Sequence, residues 1–242
     1  MNLEIIQPDW PVPPGVRALS TTRRGGVSTG PWAGLNLGTN CGDDSRAVAE
    51  NRKRLAQLLP SAPRFPNQVH GRRVISFGSL EDGEADAVIV SAPEQVCAVL
   101  TADCLPVLFC NLEGSRVAAA HAGWRGLAAG VLEQTVRALE AAPETIVAWL
   151  GPAIGQDHYE VGAEVRDAFL RADPANDAAF QAAGEGWNAD LYALARLALE
   201  RAGVRQVYGG GWCTACEPER FYSYRRDGVT GRMATLVWIR AG

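Results

Sequence analysis

Three polar residues within apolar stretches of the chain have the side chains of a metal site or a nucleophilic site. They are His70 in the run Asn-Gln-Val-His-Gly, Cys104 in Thr-Ala-Asp-Cys-Leu-Pro and His121 in His-Ala-Gly-Trp-Arg-Gly. Two imidazoles and one thiol are ligands of catalytic zinc sites, which have three protein ligands and a fourth position for water or substrate. The same side chains also form Cys-His sites, where an imidazole activates the thiol. These residues alone leave both interpretations open.

The surroundings of His121 indicate an anion-binding site beside it. A strand of small residues precedes His121, and Gly123 and Gly126 allow the backbone to approach other groups closely before a helix begins. A helix N-terminus attracts anions, and Arg125 in its first turn could bind phosphate or carboxylate with two hydrogen bonds. We therefore expect a metal ion or a nucleophile next to a phosphate pocket. A tight strand-to-helix turn with a capping histidine is the simpler alternative.

Other polar side chains near these motifs are candidates for proton transfer and substrate contacts. Asp103 is the carboxylate nearest in sequence to Cys104, so it is the candidate for proton transfer or for a hydrogen bond to a ligand. Gln68, Arg24 and Arg225 are candidate substrate contacts. Arg225 belongs to a tail that mixes aromatics with arginines, which could form the wall of a pocket for a flat anionic ligand or a solvated hairpin.

Apolar runs separated by turn residues predict a sheet-rich domain whose strand ends carry the candidate residues. The patterns predict strands at 16–22, 72–77, 86–91, 96–101, 106–110, 116–120, 145–150, 204–209 and 235–240, and helices at 46–59, 126–141, 162–172 and 190–202. Segment 173–186, rich in Ala, Asp and Gly, is predicted to be exposed or mobile. In the absence of a linker or an internal repeat, we predict one α+β domain of layered sheets and helices over residues 1–242.

Composition and charge restrict the location and the partners. The chain has 242 residues, of which 47% are hydrophobic and 21% charged, and its net charge is −4. This negative charge, without a dense Lys/Arg block, argues against nucleic acid as a partner. The first residues lack the basic start and apolar core of a signal peptide, and no apolar run reaches the ~18–20 residues that span a bilayer. We therefore expect a cytoplasmic protein that has no membrane partner.

The six cysteines are predicted to be free thiols, because the chain lacks a secretory signal. Cys97 and Cys110 lie in apolar segments and are expected to be buried. Cys213 and Cys216 form a CxxC without the second pair of a zinc ribbon, and Glu-Pro-Glu follows in place of the helix of a thioredoxin-like motif. A structural or incidental CxxC is therefore favoured over a redox or metal site. His158 is interpreted as a surface or structural residue.

Several short motifs, in order along nearly the whole chain, resemble those of one family. Besides the runs around His70, Cys104 and His121, they are Thr-Thr-Arg-Arg-Gly-Gly-Val-Ser at 21–28, Leu-Asn-Leu-Gly at 35–38, Glu-Asn-Arg at 50–52, Ala-Asp-Ala at 85–87, Leu-Gly-Pro-Ala-Ile-Gly at 150–155 and the run 221–232. The sequence is similar to the YfiH-like laccase-domain family, also called the polyphenol oxidase or purine nucleoside phosphorylase family. Cys216 is not matched to this family pattern.

The resemblance implies a fold and a metal site. The implied fold is a layered α/β/β/α sandwich of mixed sheets flanked by helices, shared with a group of cysteine hydrolases. The family's metal site maps onto His70, Cys104 and His121, with zinc as the implied ion and copper as the alternative. The chain has three histidines, fewer than multicopper oxidases need, so multicopper chemistry is excluded by counting. Copper in a preparation would reflect the high affinity of such sites for Cu(II).

The resemblance also implies a function. It is zinc-dependent phosphorolysis of adenosine, inosine, guanosine and methylthioadenosine, together with adenosine deaminase activity, so the implied substrates are a purine nucleoside and phosphate. A metal-free Cys-His hydrolase of amide or cell-wall precursor conjugates, with Cys104 as nucleophile and His121 or His70 as base, is one alternative. A copper-dependent polyphenol oxidase, as the family is often named, and a purine or phosphate sensor without turnover are the others.

Overall fold

Two packed β-sheets form the centre of the protein, whose computed structural model describes residues 3–77 and 83–241. The first sheet is antiparallel, and its strands in spatial order are β1 (Ile5–Ile6), β2 (Val16–Thr21), β13 (Met233–Ile239) and β5 (Val96–Thr101). The second sheet contains, in spatial order, β12 (Gln206–Gly209), β8 (Ile146–Leu150), β6 (Leu105–Asn111), β7 (Val117–Ala122), β4 (Ala87–Val90) and β3 (Val74–Ser76). It is mixed, because β12–β8 and β3–β4 are parallel pairs.

The two sheets are covered by helices on their outer faces. Successive side chains of a strand point to opposite faces, so on β6 Leu108 and Cys110 pack with Val237 of the first sheet, whereas Val107 and Phe109 pack with the helices. The helices on that outer face are α2 (Trp124–Ala128), α3 (Val131–Ala138), α4 (Ala163–Ala172) and α5 (Leu191–Arg201). Helix α1 (Ser45–Ala56) packs on the outer face of the first sheet. The predicted layered α/β/β/α sandwich is confirmed.

Segment 173–186 is more ordered in structure than its composition indicates. It begins with a 3₁₀-helix, Pro174–Ala179, followed by a small antiparallel sheet of β10 (Phe180–Ala183), β11 (Gly186–Ala189) and β9 (Glu160–Val161). Asn176 is 1% exposed, and its side-chain amide donates a hydrogen bond to the carbonyl of Phe169. Only part of this predicted exposed segment is therefore exposed.

The predicted strands all occur, with ends within two residues of the prediction. The predicted helix 126–141 is wrong as one element, because it is divided into α2 and α3 at Gly130. Gly130 has a φ of 89°, a left-handed conformation that a helix cannot continue through. Helix α6 (Tyr224–Asp227) and three more 3₁₀-helices, Gly30–Trp32, Pro143–Thr145 and Gln156–His158, were not predicted. None of the helices within the described ranges has the length and hydropathy of a membrane span.

Candidate metal and substrate site

His121 is the buried member of the predicted trio. It is the fifth residue of β7 and is 3% exposed. Its Nδ1 lies 2.8 Å from Oδ1 of Asp86, which precedes the neighbouring strand β4. Because a carboxylate only accepts hydrogen bonds, Nδ1 donates this one and Nε2 remains for a metal ion or a proton. The backbone N–H of His121 also donates to the carbonyl of Asp86, at 2.7 Å.

Asp86 positions the loop of the second histidine as well. Its carboxylate accepts hydrogen bonds from the backbone N–H groups of Val69 at 3.3 Å, His70 at 2.9 Å and Gly71 at 2.6 Å. Burial raises the pKa of the Asp86 carboxyl, but the hydrogen bonds from His121 and the backbone outweigh burial and bring the pKa below its ordinary value. One buried carboxylate therefore fixes the His121 ring and the backbone that carries His70.

Cys104 completes the trio from a turn at a strand end, as predicted. It directly precedes β6, and Asp103 before it has a left-handed φ of 86°. The Sγ of Cys104 lies 3.8 Å from Nε2 of His70, which has a φ of 60°. One ligand atom from each of His70, Cys104 and His121 lies within 4.8 Å of the others. Left-handed φ values at two non-glycine residues are strained, and such strain is typical of functional sites.

The thiol and the buried imidazole stabilise each other's charged forms. Burial opposes ionisation of Cys104, but the charge of His121 and hydrogen bonds from both histidines lower the pKa of the thiol to about 6. Burial likewise opposes protonation of His121, but Cys104 and Asp86 raise the pKa of its imidazole to about 9. Near neutral pH and without a metal ion, the two groups therefore form a thiolate–imidazolium pair. A thiolate is the form of cysteine that binds metal ions and attacks substrates.

The glycines after His121 are required by close contacts with the trio. A Cβ at Gly123 would lie 2.6 Å from Cδ2 of His70 and 3.0 Å from Sγ of Cys104. A Cβ at Gly126 would lie 2.6 Å from the carbonyl oxygen of Gly71. Contacts this short mean that no other residue fits at either position unless the site shifts. The sequence predicts such a close backbone approach at these two glycines.

The donor set fits a divalent transition metal. Two imidazoles and a thiolate converge from the loop of His70 and from the ends of β6 and β7, and a carboxylate orients one imidazole from behind, as is typical of histidines that bind zinc. These ligands suit zinc and also bind copper(II) strongly, so the donor types alone do not select between the two ions.

A cavity of about 690 Å³ opens beside the trio, a volume typical of small-molecule sites. Its wall combines cationic and aromatic side chains, of which Tyr224 belongs to the aromatic tail that the sequence analysis considered as a pocket wall. Arg52 and Arg232 line it, and the guanidinium of Arg52 lies 4.8 Å from the centre of the Phe65 ring. Tyr224 also lines the cavity and is 61% exposed, so its ring is available to a ligand. Such a wall suits a ligand with a flat ring and a negative charge.

Gln68 and Asp103 have structural partners. Gln68 lines the cavity, and its amide donates to and accepts from the backbone of Leu100, at 2.8 Å in both cases. The carboxylate of Asp103 accepts hydrogen bonds from the Thr214 hydroxyl at 2.6 Å and from the backbone N–H of Arg225 at 2.7 Å. Both carboxylate oxygens of Asp103 are thus occupied, which favours a positioning role beside Cys104 over proton transfer.

Arg225 and Arg125 do not line this cavity, and both lie close enough to Tyr159 to affect the pKa of its phenol. The guanidinium of Arg225 is 5.1 Å from the centre of the Tyr159 ring, and that of Arg125 is 4.4 Å from the Trp124 ring. Burial raises the pKa of Tyr159, the charge of Cys104 raises it further, and both arginines lower it, so these groups share one electrostatic environment. Helix α2 has only five residues, so the two arginines are a stronger attraction for an anion here than its short dipole.

Arg24 is not brought to the cavity wall. Its guanidinium pairs with the carboxylate of Glu4 at 3.2 Å and donates to the carbonyl of Glu219 at 2.9 Å. These contacts connect the N-terminal segment to the loop before α6.

A second cluster of His and Cys side chains lies outside this cavity. Cys213 and Cys216 are joined by a disulfide, so the prediction that all six cysteines are free was wrong. The CxxC places the two cysteines in one tight turn, which brings their side chains together. The ligand atoms of His158, Cys213 and Cys216 lie within 4.8 Å of one another. Cys97 and Cys110 are buried free thiols, as predicted.

Asp86 is the main functional residue that the sequence prediction did not assign. Its signal was a carboxylate at the start of an apolar strand, since a charge at such a position is buried only with partners. Tyr224 belongs to the aromatic tail that the sequence analysis considered as a pocket wall. Arg52, Arg232 and Tyr159 were not assigned to the site, because each reaches it from a different part of the fold.

Comparison with known proteins relates these features to a family. The sequence profile described as "Multi-copper polyphenol oxidoreductase laccase" matches residues 17–240. The chain is 54% identical over 240 residues to "Purine nucleoside phosphorylase YfiH" of Escherichia coli (strain K12), covering 98% of this chain and 99% of that relative. The crystal structure of the Neisseria meningitidis protein NMB0706 has a TM-score of 0.94 at 50% identity, over 98% of this chain and 99% of that one. The chain belongs to the YfiH-like laccase-domain family.

Proposed function

We propose that the chain is a zinc-dependent purine nucleoside phosphorylase that cleaves adenosine, inosine, guanosine and methylthioadenosine with phosphate, and that it also deaminates adenosine. The observation that carries this proposal is the convergence of His70, Cys104 and His121 beside a cavity lined by aromatic rings and arginines. Relatives named purine nucleoside phosphorylase, 54% identical over nearly their full length, support it. The expected location of the reaction is the cytoplasm.

The purine and the phosphate have separate binding groups in this proposal. The exposed ring of Tyr224 stacks on the purine within the cavity. Arg125 and Arg225 bind phosphate beside Tyr159, with which they share one electrostatic environment. Because burial raises its pKa, the Tyr159 phenol keeps its proton and can donate a hydrogen bond to a phosphate oxygen.

The chemistry requires a fixed arrangement of these groups. In phosphorolysis, a phosphate oxygen bonds to C1′ of the ribose while the bond from C1′ to the purine nitrogen breaks, and the purine takes up a proton. Zinc held by His70, Cys104 and His121 would supply Lewis-acid polarisation of a substrate oxygen or a more acidic water. Asp86 keeps the two histidines oriented, and Asp103 holds the backbone of Arg225. In deamination, a water oxygen bonds to C6 of adenine and ammonia leaves.

A metal-free Cys-His hydrolase is the second candidate. The lowered pKa of Cys104 and the raised pKa of His121 favour it, because they describe an activated thiolate next to an acid. Its substrates would be amide conjugates, with the thiolate attacking the carbonyl carbon and the imidazolium giving its proton to the leaving amine. This candidate predicts activity that thiol alkylation abolishes and chelators leave unchanged.

The experiment compares zinc content and product formation in the wild type, Cys104→Ala and a control, Cys110→Ala, which removes a thiol buried between the sheets. With inosine and phosphate, the wild type and the control should release hypoxanthine and ribose 1-phosphate, and with adenosine they should also release ammonia. Cys104→Ala should lose about one zinc per chain and both activities. Phosphorolysis at the wild-type rate in Cys104→Ala would contradict the proposal, and phosphorolysis without ammonia would remove its deaminase part.

A further inference from the structure

His158, Cys213 and Cys216 contain the side chains of a second metal site, separate from the cavity. We propose that these three residues bind a second zinc ion when the disulfide between Cys213 and Cys216 is reduced. One imidazole and two thiolates are three protein ligands, and water can take the fourth position. The proposal is independent of the reaction at Cys104.

The turn that carries the two cysteines keeps them together without the disulfide. The carbonyl of Cys213 accepts hydrogen bonds from the backbone N–H groups of Cys216 at 3.1 Å and Glu217 at 3.2 Å. The N–H of Cys216 also lies 3.2 Å from Sγ of Cys213, where it would stabilise a thiolate. The Cα atoms of the two cysteines are 5.2 Å apart. Since backbone hydrogen bonds define this turn, reduction separates the sulfur atoms without releasing them from the same side of the loop.

Contacts with the core also fix the position of the turn relative to His158. Thr214, between the two cysteines, is 0% exposed, and its N–H donates to the carbonyl of Ala153 at 3.0 Å. A Cβ at Gly155 would lie 3.1 Å from Cβ of Cys213, so the loop after β8 packs directly on the turn. The same loop carries His158, whose N–H donates to the carbonyl of Gly155 at 3.1 Å. The three ligands are therefore attached to two segments that contact each other.

Metal binding at this site depends on reduction. A cellular dithiol transfers two electrons and two protons to the disulfide and becomes a disulfide itself. Zinc then replaces the two thiol protons, which pass to solvent, while the imidazole of His158 contributes a nitrogen lone pair. His158 and Cys216 are exposed, so both the dithiol and the metal ion can reach the site.

The first test removes the site at Cys104 and measures zinc binding at the second. Cys104→Ala protein is reduced with a phosphine, which takes oxygen from water to become the phosphine oxide, and is then titrated with zinc. We expect about one zinc per reduced chain, none per oxidised chain, and at least tenfold weaker binding in Cys104→Ala/Cys216→Ser and in Cys104→Ala/His158→Ala. Cys104→Ala/Cys41→Ser is the control for a thiol outside the cluster. Unchanged zinc affinity on removal of either ligand, or no binding after reduction, would overturn the proposal.

A second measurement avoids dependence on the folding of the Cys104→Ala variant. Wild-type protein is reduced and loaded with cobalt(II), whose thiolate charge-transfer absorption increases with the number of bound thiolates. The absorption should fall by about one third or more in Cys216→Ser, because that variant loses at least one of the three bound thiolates, and should be unchanged in Cys41→Ser. Equal absorption in the wild type and Cys216→Ser would overturn the two-thiolate site.

Discussion

Within residues 3–77 and 83–241, two clusters of histidine and cysteine differ in the groups that hold their ligands in place. At His70, Cys104 and His121, a fully buried carboxylate accepts hydrogen bonds from one imidazole and from the backbone of the other histidine. At His158, Cys213 and Cys216, the ligands are largely exposed, and backbone hydrogen bonds define the turn. The first cluster lies beside a cavity, whereas the second lies in a surface turn closed by a disulfide.

The first cluster therefore has its ligands oriented at all times, whereas the second can bind a metal ion only after its disulfide is reduced. Burial makes every unpaired polar group costly, so the buried His121 needs Asp86, and Asp86 in turn fixes this ring and the backbone of the exposed His70. The exposed cluster needs no such partner, but its thiols are accessible to oxidation. Ligand type alone would not distinguish the two clusters, since both combine imidazole with thiol.

Among the changes considered, removal of Asp86 should lower stability and zinc affinity the most. Asp86→Ala leaves the buried imidazole N–H and several backbone N–H groups without a partner, so we expect a loss of about 3 kcal/mol in unfolding free energy and 10–100-fold weaker zinc binding at the first cluster. The matched control is Asp157→Ala, next to the exposed His158, with a change within about 0.5 kcal/mol. Urea unfolding and competition with a zinc chelator measure both quantities. Similar losses in the two variants would show that the burial of the carboxylate is not the cause.

A methyl group next to each cluster tests the difference in packing. Gly123 and Gly155 both have ordinary negative φ values, so replacement by alanine acts through contacts and not through backbone strain. Gly123→Ala places a Cβ 2.6 Å from His70, whereas Gly155→Ala places one 3.1 Å from Cys213. We expect about 2–3 kcal/mol of destabilisation for Gly123→Ala and about 1 kcal/mol for Gly155→Ala, from denaturant curves. The reverse order would contradict the tighter packing of the first cluster.

Thiol alkylation should distinguish the clusters chemically. In metal-free, non-reduced protein, Cys104 should react rapidly at pH 7, because its pKa is lowered to about 6 and its thiolate is already formed. Its rate should rise as pH increases through about 6 and then level off. Cys110 should stay unmodified, since burial raises its pKa to about 12, and Cys213 should react only after reduction. Mass spectrometry of peptides identifies the sites, and alkylation of Cys104 that begins only near pH 8.5 would contradict the ion pair.

A smaller effect on stability is expected from the charge of Asp86, and it should depend on pH. The pKa of Asp86 is lower in the folded protein than its ordinary value, so its contribution to stability is present above an unfolded pKa of about 3.9 and is lost as pH falls through the folded value. Asp86→Asn carries no charge and should therefore be less stable than the wild type at pH 6, with the difference shrinking below about pH 4. Thermal unfolding at several pH values measures this. A difference that does not depend on pH would indicate that the charge of Asp86 has no role.

The trio was predictable from the sequence because Cys104 and His121 stand at the ends of apolar strands and His70 lies shortly before another predicted strand. The pattern of alternating and continuous apolar residues also located the strands, since a strand buried on both faces, such as β6, has a nearly continuous apolar sequence. The pattern predicted an α+β domain of layered sheets and helices, whereas the α/β/β/α order of the layers came from the family resemblance.

The rest of the site depends on tertiary structure that spacing does not encode. Asp86 becomes a partner of His121 only through the register of β4 beside β7. Arg52 reaches the cavity from α1, which packs on the outer face of the first sheet. A glycine such as Gly130 can continue or divide a helix, and the apolar spacing does not encode its left-handed φ. The disulfide was missed because the prediction rested on compartment, whereas the turn at 213–216 brings the two sulfur atoms together locally.

The position of β13 has a consequence for how the chain is made. This strand pairs with β2 on one side and with β5 on the other, so it completes the first sheet from the middle. During synthesis, β2 and β5 leave the ribosome long before β13, and until then each has an unpaired edge that can join other chains. The sheet therefore closes only after nearly all of the described chain has been translated. A ribosome that stalls before Met233 would release a polypeptide with both edges open, a substrate for chaperones and proteases.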